Sequence, residues 1–317
     1  MYNLGIDIGG TNIAVGIVNE EMKIIAKANQ KTPVPCPQEK FCDVIKIAAD
    51  MALQSANIDY KEIKTIGIGC PGTVNSDTGI IEFANNLGYS NFKLRDMLAD
   101  RFPKGSVILM ANDANAAAYG EYKAGALKGA TDSLAITLGT GIGGGIIIDG
   151  KIYSGCNFAG GELGHTVIVV DGRPCSCGRN GCWESYASAT GLITSTKEHM
   201  NLNKDSIMWS LVDNNISNVS GRTAFDAMRK GDAEGQKVVD EYIKYLGAGL
   251  TNMINIFQPE ILCVGGGICN EGETLLSPLR KYVEKEQYAM NASKKTVICR
   301  AALGNDAGII GAALLGE

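Results

Sequence analysis

His165, Cys175, Cys177 and Cys182 place one imidazole and three thiols within 18 residues. A neutral ring nitrogen with three thiolates is the ligand set of a closed, tetrahedral zinc site. The spacing Cys-x-Cys-Gly-x-x-Gly-Cys is polar and rich in turn residues, as a loop folded round an ion requires. The competing reading, small thiols in an ordinary core, fits that composition poorly. Glu162 and Glu184 flank the ligands, so an ion that fixes this loop also fixes two carboxylates, which are otherwise solvated surface groups.

Two glycine turns offer a second chemistry. Asp7-Ile8-Gly9-Gly10-Thr11 and Leu138-Gly139-Thr140-Gly141-Ile142-Gly143-Gly144-Gly145 each follow an apolar run. Glycine exposes backbone N–H groups that cradle phosphate oxygens, and Thr11 adds a hydroxyl donor. Asp7 beside such a nest needs a cation between it and the phosphate, and Mg²⁺ carried by nucleotide phosphates supplies one. A tight hairpin alone explains either turn, but two at equivalent places favour phosphate. A dinucleotide fingerprint is rejected, because Ile146-Ile147-Ile148 continues as strand where a helix should begin. Gly265-Gly266-Gly267 would let a base or ribose approach the backbone, or would simply turn the chain. Asn112-Asp113 follows another apolar run. A carboxylate there can take the proton of an attacking hydroxyl, or the pair can cap the next helix, and the residues alone leave both readings open.

These groups need strands ending at loops. Residues 3–7, 12–19 and 20–28 read as an antiparallel meander. A helix is expected over Gln38–Ala56, whose Phe41, Val44, Ile45, Ala48, Ala52 and Leu53 share a face. Strands follow at 64–69 and 107–110, then an alanine-rich helix over 114–124. The pattern restarts at Ser133–Leu138, with the return strand at 144–148, an offset of 130 residues from the first turn. A long helix over Ala233–Phe257, a strand at 260–264, a helix at 274–286, a strand at 296–299 and a helix at 306–315 complete an α/β chain of two related halves facing a cleft. Residues 201–218 are polar and read as a surface excursion.

The chain has 317 residues, enough for two domains, and a net charge of -5, which argues against a nucleic-acid surface. Ten scattered cysteines fit reduced thiols in the cytoplasm rather than a disulfide framework. No apolar run reaches membrane-spanning length, and a strand that starts at once leaves no signal peptide.

Together the motifs resemble the ROK (repressor, open reading frame, kinase) family of sugar kinases, within the actin-like ATPase and hexokinase superfamily. The resemblance covers essentially the whole chain. It rests on Asp7–Thr11, Cys70-Pro71-Gly72-Thr73, Asn86-Leu87-Gly88-Tyr89 and Asn112-Asp113-Ala114-Asn115-Ala116. It extends through residues 138–145, Gly161-Glu162-Leu163-Gly164-His165, Cys175-Ser176-Cys177-Gly178 and Gly181-Cys182-Trp183-Glu184. It implies duplicated ribonuclease H-like domains, a small one of residues 1–111 plus 301–317 and a large one of residues 112–300. It implies ATP-dependent phosphorylation of a hexose, foremost glucose at O6, with Asp113 as base.

On the same resemblance, Gly72, Asn86, Asn112, Glu162, His165 and Glu184 would bind the sugar, His165 using one ring nitrogen for zinc and the other for sugar. Asp7, Gly9, Gly10, Thr11, Thr140 and Gly141 would hold phosphates and Mg²⁺, and Gly265, Gly266 and Gly267 would lie along adenosine. A homodimer or higher homo-oligomer is implied, with no nucleic-acid or membrane partner. Tyr89 stands where many glucokinases of the family have Trp, which loosens the preference for glucose. N-acylmannosamine, fructose or allose are the alternative substrates. A non-catalytic sugar-sensing protein of the family is the alternative of another class, and the chain before Asp7 is too short for a DNA-binding helix-turn-helix.

Overall fold

The computed structural model describes the whole chain, Met1–Glu317. It divides into two compact units, Met1–Ala135 with Gly144–Gly161 and Ala301–Glu317, and Ile136–Gly143 with Glu162–Arg300. Residues 112–135 and 144–161 fall in the first unit; the resemblance implies a domain boundary at residue 112.

The first unit is built on strands β1 (Tyr2–Ile8), β2 (Asn12–Val18) and β3 (Ile24–Lys31), helix α1 (Gln38–Ala56) and strand β4 (Ile63–Cys70). Residues 19–23 make a turn instead of opening β3. Asn19 Oδ1 accepts the Lys23 N–H at 2.8 Å, and Met22 adopts φ 59°. A small antiparallel sheet follows, of β5 (Thr73–Asn75), β6 (Ile80–Ala84) and β7 (Tyr89–Phe92). Helix α2 (Leu94–Ala99), strand β8 (Ile108–Asn112) and helix α3 (Asp113–Ala124) come next. The main sheet has the order β3-β2-β1-β4-β8, antiparallel on the hairpin side and parallel from β1 to β8.

Helix α1 buries Phe41, Ile45, Ala48, Ala49, Ala52 and Leu53 in a cluster with Leu4, Ile6, Ile8 and Ile68. Each large side chain there contributes roughly 1.5–3 kcal/mol by leaving water. The helix ends at Asn57, which takes the left-handed conformation that asparagine tolerates. Alternate residues of the strands meet the last helix, Ala307–Ala313. Gly16, Gly5 and Gly67 lie side by side in register across β2, β1 and β4. A Cβ on Gly5 would overlap the Ile309 carbonyl oxygen, and one on Gly67 the Ala312 carbonyl oxygen. The helix backbone therefore lies directly on the sheet. It also packs on α3, where Gly311 meets the Ala116 carbonyl oxygen. Buried Glu121 on α3 accepts the N–H groups of Ala126, Ala302 and Leu303 at 2.7–3.0 Å, fixing the approach to that helix. These contacts hold α3 to the first unit.

Strands β9 (Ser133–Leu138), β10 (Ile142–Ile148) and β11 (Lys151–Ile152) open the second sheet. Helices α4 (Glu184–Ala187), α5 (Ala189–Leu202), α6 (Met208–Leu211), α7 (Thr223–Arg229) and α8 (Ala233–Phe257) precede strand β12 (Ile261–Gly265), helix α9 (Glu273–Glu286) and strand β13 (Val297–Arg300). The expected polar excursion at 201–218 contains α6, which buries Met208. The order β11-β10-β9-β12-β13 repeats that of the first sheet strand for strand, so the fold is a duplicated α/β fold. No helix is long and apolar enough to cross a membrane.

Candidate functional site

In the first unit the expected groups gather at the ends of β1, β4 and β8. The turn after β1 is closed by Gly9 N–H donating to the Asn12 carbonyl at 2.9 Å, and Thr32 Oγ1 donates to the Gly9 carbonyl at 2.6 Å. Gly10 and Thr11 are exposed, and a Cβ on Gly10 would stand 3.9 Å from the Asn86 Cβ. Asn112 ends β8 and caps α3, its Oδ1 accepting the N–H groups of Ala114 at 2.9 Å and Asn115 at 3.2 Å. Its amide donates to the Gly72 carbonyl at 3.0 Å. The cap reading therefore applies to Asn112, whereas Asp113 is the first helical residue and its Oδ1 accepts the Ala114 N–H at 2.9 Å. Burial, and then the charge of Asp113, push the Asp7 carboxyl up from 3.8 to about 6. A buried carboxylate within reach of a second negative charge is the environment in which a divalent cation lowers the electrostatic cost.

Tyr89 is a core residue. Its ring packs edge-on against Phe41 and Phe92 at centroid distances of 5.3 and 4.9 Å, and its hydroxyl donates to the Cys36 carbonyl at 2.8 Å. It props the loop after Asn86 rather than presenting a ring to solvent.

In the second unit His165, Cys175, Cys177 and Cys182 converge, with their ligand atoms all within 4.8 Å of one another. Cys177 and Cys182 Sγ are 3.6 Å apart, and Cys175 Sγ is 3.5 Å from His165 Nδ1. Zinc bond lengths in a regular tetrahedron require S···S near ~3.8 Å and S···N near ~3.5 Å. The donor set fits such an ion. Burial pushes the Cys182 thiol up to about 12; at Cys175 burial acts the same way, but hydrogen bonds from Cys177, Cys182 and His165 outweigh it and bring the thiol down to about 7. Nδ1 faces the sulfurs, while Nε2 lies 3.9 Å from Glu162 Oε2. Exposed Glu162 and the free face of the ring thus point the same way.

Glu184 is held differently. Its Oε2 accepts the Ile142 N–H at 2.8 Å, and its Oε1 accepts from Ser176 Oγ at 3.3 Å. A Cβ on Gly141 would overlap Oε2, so a side chain there would displace the Glu184 carboxylate. Thr140 is exposed, and its carbonyl accepts from Thr190 Oγ1 at 2.7 Å.

Gly266 and Gly267 are exposed after β12, and Gly267 lines a cavity of about 300 Å³ with Arg222, Arg229, Asn270 and Glu271. Arg229 pairs with Glu271 and with Asp226, the latter at 2.8 Å, and Arg300 donates to Asn270 Oδ1 at 2.6 Å. Sequence alone singles out none of the four side chains that line the cavity, because nothing in their spacing marks them. Their only signal is position, just after the glycine turn or on the helix that packs beside it.

The profile of the ROK family matches residues 3–317. The glucokinase of Streptomyces coelicolor is 37% identical over 312 residues, 98% of this chain and 96% of that protein. The glucokinase of Thermotoga maritima is 37% identical over 312 residues, 98% and 95% of the two chains. A solved ROK family glucokinase from Streptomyces griseus, in complex with glucose and AMPPNP, is 36% identical, superposes with a TM-score of 0.83 and covers 99% of this chain and 98% of that one. With the glycine turns, the strand-end aspartates and the Cys/His cluster all present, this chain belongs to the ROK family.

Proposed function

We propose that this chain is an ATP-dependent hexokinase that converts glucose to glucose 6-phosphate. The observation that carries the reading is that buried Asp7, in β1, lies within reach of the charge of Asp113, at the start of α3 after β8, two strands across the sheet. One carboxylate suits a metal-bound phosphate and the other suits a hydroxyl proton. The relatives named glucokinase, at 37% identity over nearly the whole chain, supply the substrate class.

Asp113 acts as general base. It takes the proton of the sugar O6 hydroxyl as O6 forms a bond to the γ-phosphorus, and the bond from that phosphorus to the bridging oxygen breaks with its electron pair leaving on ADP. General-base help of this kind is typically worth ~10²–10⁴ in rate, and alignment supplies much of the rest. Gly72, Asn86, Asn112, Glu162, His165 and Glu184 hold the sugar in this reading. Asn112 is rigid for this task because both ends of its amide are engaged. Gly9, Gly10, Thr11, Thr140 and Gly141 receive the phosphates, and Asp7 holds Mg²⁺, whose charge neutralises the polyphosphate. Gly265, Gly266 and Gly267 lie along adenosine, with Arg222, Arg229, Asn270 and Glu271 lining its pocket. His165 Nδ1 and the three thiolates would hold zinc, which would orient the imidazole with Nε2 toward the sugar. Residues 1–111 with 301–317 and residues 112–300 serve as the two catalytic domains in this reading. The ten free thiols fit a reducing cytoplasm, and a homodimer or higher homo-oligomer is the proposed assembly.

The test is ADP release with Mg-ATP across glucose, mannose, N-acetylmannosamine, N-acetylglucosamine, fructose and allose. Glucose should have the highest kcat/KM. Asp113→Asn should lose at least ~10²-fold in kcat while still binding glucose. No turnover on any hexose refutes the reading, and preference for another sugar refutes the assignment of glucose.

A further inference from the structure

Glu184 supports an inference that rests on the kinase reading and extends it to regulation of the nucleotide turn. The turn between β9 and β10 has one hydrogen bond of its own, from Gly139 N–H to the Gly141 carbonyl at 3.0 Å, and three more to the short stretch after Cys182. Ile142 N–H donates to Glu184 Oε2 at 2.8 Å, Ala189 N–H donates to the Gly139 carbonyl at 2.9 Å, and Thr190 Oγ1 donates to the Thr140 carbonyl at 2.7 Å. The other oxygen of Glu184 faces the Cys/His cluster, accepting from Ser176 Oγ at 3.3 Å and lying 3.9 Å from Cys175 Sγ. One carboxylate therefore touches both the metal loop and the phosphate turn.

The linkage is stiff. Cys182, Trp183 and Glu184 are consecutive, a metal ligand, an anchor and a clasp. Trp183 is fully buried, its ring meets Gly249 of α8, and its Nε1 donates to the Tyr245 carbonyl at 3.0 Å. Gly141 has no room to move toward Glu184, because even a Cβ there would strike the carboxylate. A shift of the Cys175–Cys182 loop must therefore move either Glu184 or the turn. A turn that binds phosphate through its N–H groups loses affinity when those groups are no longer held in place.

We propose that Glu184 is a positioning residue that couples occupancy of the Cys/His cluster to nucleotide affinity. An ion on the four ligands holds Glu184 against the Ile142 N–H and strengthens Mg-nucleotide binding. By linkage, the nucleotide strengthens ion binding by the same factor. A zinc that only orients His165 for sugar would leave nucleotide affinity untouched.

The experiment uses the full chain without sugar. Calorimetry measures Mg-AMPPNP binding to zinc-loaded and zinc-stripped protein, for wild type and Glu184→Ala, with Mg²⁺ in excess so that free nucleotide takes up no zinc. Stripping should weaken binding about tenfold in wild type. Zinc-loaded Glu184→Ala should already be weakened by a similar factor, and stripping it should change little more. The reverse measurement is zinc affinity against a chromophoric chelator, with and without Mg-AMPPNP, and it decides the matter in folded protein even if stripped protein unfolds. A shift of about tenfold in wild type, absent in Glu184→Ala, supports the coupling. Should Glu184→Ala fail to fold, the two wild-type shifts decide alone. Zinc affinity indifferent to nucleotide overturns the proposal. If the zinc-loaded protein binds no AMPPNP and phosphorylates no hexose, the kinase reading itself fails. Binding and turnover that ignore the ion sink only the coupling.

Discussion

Replacing Asp7 by asparagine should make the ligand-free protein more stable and inactive. In the folded chain, burial and the Asp113 charge raise the Asp7 carboxyl from 3.8 to about 6. The folded state therefore holds a proton that the unfolded state has released between about pH 4 and pH 6. Folding stability falls as pH rises through that window, and above it the ionised, buried carboxylate costs ~3 kcal/mol, from about two units at 1.36 kcal/mol each. Asp7→Asn removes that titration. Urea unfolding of both proteins at constant ionic strength should give nearly equal stabilities near pH 4, and a variant more stable by up to ~3 kcal/mol near pH 7.5. Mg-ATP should then stabilise wild type more than the variant, because only wild type offers a carboxylate to the cation. Asp113→Asn should recover only part of the same gain, since burial of Asp7 persists. A stability difference that does not change with pH, or a variant weaker at neutral pH, would refute the argument that Asp7 is held at an electrostatic cost for the sake of a cation.

Cys177→Ser should purify without the roughly one zinc per chain that the four-ligand site would carry, measured by elemental analysis, because a hydroxyl is a poor replacement for a thiolate. Retention of a full complement of metal by that variant would move the site elsewhere. Gly67→Ala should destabilise the chain by ~3 kcal/mol or more in urea unfolding, since its Cβ overlaps the Ala312 carbonyl oxygen and backbone must shift to admit it. Glu121→Gln should cost ~2 kcal/mol in the same assay, because with the amide oxygen kept on the Ala126 and Ala302 N–H groups the amide nitrogen must face the Leu303 N–H. An unchanged midpoint in either variant would contradict the packing described.

Much of the fold is legible in the sequence because its signals are local. The helix over Gln38–Ala56 shows a stripe of apolar residues, and the two strand–turn–strand openings match at a fixed offset, which anticipates two sheets with the same strand order. The Cys/His cluster is legible from spacing alone, because thiols so close in polar sequence have few other uses. The glycines of β1, β2 and β4 are not. In sequence Gly5, Gly16 and Gly67 look like weak points in strands, and only the distant helix Ala307–Ala313 explains them. The start of β3 is misplaced by sequence because Glu20–Met22 looks no less extended than Ile24–Ala28. The Asn19 side chain decides the matter by holding a turn. The resemblance gives Glu184 a role at the sugar; its bond to Ile142, which joins residues 42 positions apart, leaves no local trace in the sequence. The lining of the cavity beside Gly267 is hidden for the same reason.

The helix that rests on the glycine row is made after every residue of the second unit. A nascent chain leaving the ribosome presents β1, β2 and β4 long before Ala307–Ala313 exists to cover them. During that interval the bare stripe of glycine backbone has nothing to rest against, so the first unit cannot close until that helix is made. Completion of this half of the molecule therefore waits on the synthesis of the other. A holdase that shields flat, side-chain-poor strands during translation should raise the yield of native protein, whereas one that acts only after release should do little.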